Sequence, residues 1–169
     1  MVKRERRKPA PGEFEDPLSN YDPPVYADEL EESLCEDAVT VIEHQPFSAM
    51  RGGQTVREVL AHMSQENVAC VVLVDDDNKP TGVFSERDVL NRVLDHYAEL
   101  ADHPVDEVMT HDPVVVYPTD TPARVLNVMV TGGFRHVPLV DADRRLIGVI
   151  GARRTTGYLQ RYFTDIAGL

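Results

Sequence analysis

The sequence predicts an α/β fold of the α+β type, assembled from one unit written twice. Shifted by 66 positions, Thr55 to Leu94 lies on Thr121 to Gln160 without a gap, and the match pairs Val59 with Val125, Leu60 with Leu126, Met63 with Met129, Leu73 with Leu139, Asp75 with Asp141 and Gly82 with Gly148. Each copy reads in the same order, β-α-β-β-α, with an acidic turn between its two later strands. A unit of that size buries too little apolar surface alone. The two pseudo-symmetric copies are therefore expected to pack sheet to sheet, leaving two related clefts between them where function would lie.

The elements follow in order. Pro9, Pro11, Pro17, Pro23 and Pro24, set among Gly12, Ser19, Asn20 and acids, predict a mobile leader over residues 1–27. Residues 28–102 then form a first repeat with a preceding helix, and residues 103–169 a second repeat. Asp28 to Val41 reads as that helix, with Leu30, Leu34, Ala38 and Val41 apolar, and is expected to cover the first repeat. Thr55 caps a helix whose Val56, Val59, Leu60 and Met63 share a face. Ala69 to Val74 and Thr81 to Phe84 read as strands around the Asp75-Asp76-Asp77-Asn78 turn. Ser85 opens a helix whose Val89, Leu90, Val93, Leu94 and Tyr97 are too apolar to face water.

In the second copy Val114 to Tyr117 is extended, Thr121 to Val130 is helical, and Gly132-Gly133 supplies a C-cap, where a left-handed backbone suits a residue without a side chain. Val137 to Val140 and Leu146 to Ile150 are strands. A terminal helix carries Tyr158, Leu159, Tyr162, Phe163 and Ile166. The apolar faces of the two closing helices exceed what one pair need bury, which predicts a homodimer.

Bulk properties exclude several classes. With 169 residues and 42% apolar side chains, the chain holds one compact pair and no catalytic insertion. A net charge of -12 argues against nucleic acid as a partner, since phosphate binding rests on clustered Lys and Arg. The basic arm Met1 to Lys8 is read as a solvated tail. Cys35 and Cys70 form no disulfide framework, no apolar stretch approaches the roughly 18 residues of a membrane helix, and no signal peptide is evident, so a cytoplasmic protein is expected. The six histidines lack metal-ligand spacing, so no metal is assigned, and Asp75 to Asp77 read as a tight turn. No nucleophile elbow, phosphate loop or dinucleotide fingerprint appears, and no enzyme is expected.

Gly82-Val83-Phe84-Ser85-Glu86-Arg87-Asp88 in one copy, with Val108-Met109-Thr110, Asp112 to Val116 and Phe134 to Val140 in the other, closely resembles a tandem CBS-domain pair, or Bateman module, over roughly Val41 to Phe163. The resemblance implies a non-catalytic regulatory module that senses an adenosine nucleotide such as AMP, ATP or a related adenosyl ligand. It also implies dimerisation and a signal passed to an effector protein. A structural dimerisation module without ligand is the alternative.

The same resemblance implies the site. Ser85 and Asp88 match the position at which the ribose hydroxyls are held, and a carboxylate can accept both hydroxyls of a diol. Ser-x-x-Asp before an apolar helix is equally a capping box that needs no ligand. Asp88→Ala is expected to abolish binding while leaving the melting temperature nearly unchanged. Val114 and Val115 match the aliphatic seat of the adenine, or are plain core strand. Arg135 and His136, with Pro138 in the same strand, match the place where cations meet phosphate, or mark an exposed edge. Arg153 matches a further cation, or a solvated helix start. The copies differ at this site: Ser85 becomes Gly151 and Asp88 becomes Arg154, which predicts one nucleotide site per chain.

Overall fold

The computed structural model describes the backbone of residues 23–167 and the side chains of residues 23–163. The basic arm and most of the expected leader, like the Ile166 side chain, lie outside the described residues. In chain order the elements are α1 (Glu29–Glu36), β1 (Ala49–Arg51), α2 (Val56–Glu66), β2 (Cys70–Val74), β3 (Pro80–Ser85), α3 (Glu86–Asp88), α4 (Tyr97–Leu100), β4 (Thr110–His111), α5 (Pro122–Gly132), β5 (His136–Val140), β6 (Leu146–Gly151) and α6 (Ala152–Ala167).

The duplication is kept to the residue. Helices α2 and α5, strands β2 and β5, and strands β3 and β6 have bounds displaced by the same 66 positions. Their hairpins share a register, Cys70 opposite Ser85 and His136 opposite Gly151, with a bulge after Leu73 and after Leu139. The turn residues Asn78 and Arg144 have φ of 64° and 63°. Even the parallel entry strand recurs, Met50 beside Leu73 and Val116 beside Leu139, although the second copy makes only that single bridge. At the helix ends, Thr55 and Glu58 form a capping box on α2, while Asn67 and Gly133 close α2 and α5 in the left-handed region.

Alternation along the strands divides the core into layers. Val71 and Leu73 point into a cluster with Val56, Val59, Met63 and Phe84, whereas Cys70, Val72 and Val74 face the other copy and meet Val83, Leu146 and Val149 at the seam. Strands covered on both sides explain the unbroken apolar runs. In the second copy Val137 and Leu139 face a third cluster with Val125, Val128 and Tyr158.

Two expectations are corrected here. The first helix ends at Glu36, followed by a single turn at Val39–Val41, and it covers the second repeat instead of the first. Ser33 is the reason: its hydroxyl is buried within 2.7 Å of the Tyr158 hydroxyl and 2.8 Å of the Tyr162 hydroxyl, both on α6. Tyr158 and Tyr162 are thus satisfied within the chain, while Leu90 at 64%, Leu94 at 59% and Phe163 at 50% exposure stay uncovered on the two closing helical segments. The helix after Ser85 is also irregular, widening to a π-helical stretch at Val89–Val93 and tightening at Leu94–His96 before α4.

The segment leading into each repeat docks on the other repeat. Val105 N–H donates to the Gln54 carbonyl at 2.8 Å, and at the equivalent place Val39 N–H donates to the Asp120 carbonyl at 2.7 Å. Thr110 pairs with Val83 on the first sheet, and Val149 N–H donates to the His44 carbonyl at 2.9 Å on the second. Both crossings pass over a glycine. A Cβ on Gly148 would lie 3.0 Å from the His44 Cβ and 3.1 Å from its carbonyl oxygen, and one on Gly82 would collide with the Met109 side chain. Gly157, by contrast, sits in the exposed interior of α6 with open space around it. Gly148→Ala should therefore lower stability in urea unfolding by about 1–3 kcal/mol through overpacking. Gly157→Ala should raise it by about 0.5–1 kcal/mol through helix propensity.

Candidate functional site

Strand β3 ends at Ser85, whose extended backbone, with φ of -134°, turns directly into α3. Three residues on, Asp88 returns its carboxylate to that turn. The Ser85 N–H donates to Asp88 Oδ2 at 2.9 Å and the Ser85 hydroxyl donates to the same oxygen at 2.7 Å. The other carboxylate oxygen, Oδ1, lies 3.3 Å from Arg92 Nη1 and accepts a long bond of 3.4 Å from the Thr110 hydroxyl. Asp88 is one of three buried polar or charged residues among those described, at 7% exposure. Both alternatives for Ser-x-x-Asp thus bear on one group: the cap is made, and it uses only one of the two carboxylate oxygens.

That carboxylate opens onto a cleft of about 310 Å³ between the repeats, a size within the range of small-molecule sites. The first repeat contributes Ser85, Arg87 and Asp88. The second contributes Thr110, Pro113 and Val114 from its leading segment, and Phe134, Arg135 and His136 where α5 gives way to β5. Gly133, with φ of 65°, makes that sharp turn, and its carbonyl accepts a 2.6 Å bond from Arg87 across the seam. Burial is the main influence on His136, holding its imidazole below the ordinary histidine pKa; neighbouring Glu86 opposes this, while Arg135 and Arg154 reinforce it. Near neutral pH the ring is thus a neutral hydrogen-bonding group, and the standing positive charge comes from arginines.

Of the residues expected at the site, Ser85, Asp88, Val114, Arg135 and His136 line this one cleft. Val115 is half-buried beside it and Pro138 is buried within β5, where its carbonyl accepts from Val116 N–H at 3.0 Å. Arg153 lies on the other side of the seam, in a second cleft of about 280 Å³ that His136 also touches. Sequence reading passed over Arg92, Thr110 and Arg87. Arg92 follows Asp88 by four positions, a spacing that places both on one helical face and could have revealed the pair. Thr110 and Arg87 reach the cleft only through the crossing of chain segments, which leaves no local trace.

The second cleft is the twofold mate of the first, changed at the positions that matter. Cys70 stands where His136 stands in the first cleft; burial, and then the Asp88 charge, push its thiol up to about 12. Arg154 takes the place of Asp88 and donates to the carbonyls of Val149, at 3.0 Å, and Pro46.

The family model for the CBS domain matches residues 36–95 and 105–159, and the chain belongs to the CBS-domain family as a tandem pair. Among curated relatives, an uncharacterised 17.7 kDa protein of Acidianus ambivalens is 28% identical over 99 residues, covering 59% of this chain and 58% of that one. A CBS domain-containing protein of Arabidopsis thaliana, CBSCBSPB1, is 30% identical over 87 residues, 52% of this chain and 16% of its own length. The chain thus matches less than two thirds of either relative's length. A CBS domain protein of Pyrobaculum aerophilum, solved in complex with AMP, superposes with a TM-score of 0.63 at 27% identity, covering 69% of this chain and 88% of that one. The CBS pair of protein MJ0100, solved with 5'-methylthioadenosine and S-adenosyl-L-methionine, gives 0.63 at 20% identity over 75% and 98%. Among the described residues no helix is long and apolar enough to cross a membrane, and no cluster of potential metal ligands occurs.

The capping geometry argues against the expectation that Asp88→Ala would spare stability. Losing two accepted bonds and the Arg92 contact should cost about 1–2 kcal/mol, or about 2–8 °C in melting temperature. Asp88→Asn keeps an oxygen for the cap and should lose less. Thermal unfolding of the two variants beside the parent checks the order.

Proposed function

We propose that this chain is a regulatory module that binds an adenosine-containing ligand, AMP, ATP or a related adenosyl compound, in the first cleft and signals to a separate effector protein. The reading rests above all on one juxtaposition: a buried carboxylate from the first repeat, Asp88, shares a cleft with Arg135 and His136 from the second. In this reading Asp88 Oδ1 accepts the ribose diol while Oδ2 keeps the cap. Val114, at 40% exposure, offers an aliphatic surface to the adenine. Arg135 faces the phosphate with a charge that does not titrate, and His136 adds a neutral donor. The relatives solved with AMP, 5'-methylthioadenosine and S-adenosyl-L-methionine are consistent with an adenosyl ligand class.

The signal is proposed to leave through Arg92. Its Nη1 donates to the carbonyls of Val108 and Met109, each at 2.8 Å, and also faces Asp88. A ligand that draws on Asp88 Oδ1 therefore competes for the group that tethers the second repeat's leading segment. Binding, not catalysis, is the proposed activity.

Isothermal calorimetry with AMP on the full chain tests the site. One ligand per chain is expected, and Asp88→Asn should weaken binding about 10–100-fold, the loss of one to two hydrogen bonds to a charged group. Equal affinity in parent and variant would remove the assignment.

A homodimer is proposed from the surplus apolar surface of Leu90, Leu94 and Phe163. Sedimentation of the parent should show a dimer, and Leu90→Glu with Leu94→Glu should shift it to monomer without loss of helix signal. A parent that sediments as a monomer at every concentration would leave this surface unexplained.

A further inference from the structure

The second cleft differs from the first in charge more than in shape. Its approximate 280 Å³ is lined by Arg153, Arg154 and His136, with Ser48 and Asn67 as further polar side chains, and no carboxylate is among its lining residues. In a chain of net charge -12 that is an unusual concentration of cation. Arg153 is exposed and makes no ion pair or hydrogen bond among the described residues. Arg154 is anchored by donating to the Val149 and Pro46 carbonyls, which occupies two of the five guanidinium N–H groups and leaves three. The acids nearby stand outside the cleft lining: Glu43 shares an adjoining groove with both arginines, and Glu86 shares another with Arg153 and acts on the charge of His136.

The same substitutions that bring in cations remove what a nucleoside would need. Gly151 has no hydroxyl where Ser85 has one, Arg154 replaces the only carboxylate, and Ser48 stands in place of Val114. A diol offers donors, and an arginine accepts none. A compact oxyanion offers acceptors only, and suits a planar fork fixed by its backbone bonds beside a second, mobile guanidinium.

We infer that the second cleft is a site for a compact phosphate-class anion without a nucleoside, held by Arg153 and Arg154. This inference does not depend on the ligand of the first cleft. His136, which lines both clefts, puts the two sites in contact through one side chain.

Phosphorus NMR titration of the full chain with inorganic phosphate provides the test, with glycerol 3-phosphate as a second arm to separate free phosphate from a phosphate ester. Saturable binding of one anion per chain is expected, unchanged in Asp88→Ala, weakened about tenfold in the exposed-site variant Arg153→Gln, and retained when AMP is in excess. Tighter binding of the ester than of phosphate would identify the source as an ester, and the reverse as the free ion, both upholding the site. Displacement of phosphate by AMP together with sensitivity to Asp88→Ala would place the anion in the first cleft and overturn the inference. So would binding indifferent to Arg153→Gln, or no saturable binding. A chain that binds phosphate but not AMP would leave this inference standing while removing the nucleotide reading.

Discussion

The bond from Val39 N–H to the Asp120 carbonyl and that from Val105 N–H to the Gln54 carbonyl are one interaction made twice, and much else follows from it. Each repeat is entered by a chain segment already docked on its partner. Neither repeat can therefore complete its sheet or cover its helices alone: Thr110–His111 extends the first sheet, and the His44 carbonyl caps an edge of the second. Exchange of this kind ties the copies together at both ends, in addition to the apolar seam of Cys70, Val72, Val74, Val83, Leu146 and Val149. It also demands close approach at the crossings, which two glycines permit by having no Cβ in the way: Gly82 makes room for the Met109 side chain, and Gly148 for the side chain and carbonyl of His44.

The clefts are a consequence of the same exchange. Each leading segment crosses the opposite sheet, Thr110 beside Val83 and His111 beside Gly82 in the first and the His44 carbonyl on Val149 in the second, and a groove opens beside Ser85 on one side and Gly151 on the other. Twofold packing makes the grooves alike in shape. Point differences then make them unlike in chemistry, with Asp88 against Arg154 and Val114 against Ser48 at equivalent positions. The duplicated frame thus carries two clefts with seam residues in their walls, Val83 in the first and Cys70 and Val149 in the second, that differ at the polar positions around them.

Much of this was legible in the residues. The 66-residue offset gives the second repeat from the first, and β2, β3, α5, β5 and β6 lie within about two residues of their expected bounds, because period-two and period-3.6 patterns survive where a face is buried, whereas β1 and β4, three and two residues long, are too short to carry such a pattern. What failed was docking. The sequence reading groups helix α1 with the first repeat, yet its Ser33 meets Tyr158 and Tyr162, more than a hundred residues away. The offset held the answer, since Val39 matches Val105, a residue joining the repeats. In the candidate site, Ser85, Asp88, Val114, Arg135 and His136 meet in one cleft, whereas Val115, Pro138 and Arg153 do not line it. Strand alternation explains the first of these: neighbours in an extended segment face opposite ways, so Val114 and Val115 cannot both face one cleft.

The double duty of Asp88 also bears on how a ligand could bind here with modest means. Burying a carboxylate is costly, and a site that had to desolvate its acid on binding would spend ligand affinity on that step. In this chain the acid is already buried on folding, with the Ser85 N–H and hydroxyl compensating one oxygen. The other oxygen has only a 3.4 Å bond from Thr110 and a 3.3 Å ion contact with Arg92, whose Nη1 also serves two carbonyls, so it has room for further donors. An arriving pair of donors completes a set of bonds instead of breaking a good one, and the geometry they meet is fixed by the cap. On the proposed function this is preorganisation achieved with a helix-start motif, and it makes the structural and the proposed ligand-binding roles of Asp88 compatible: the bond to Oδ2 fixes the position of Oδ1.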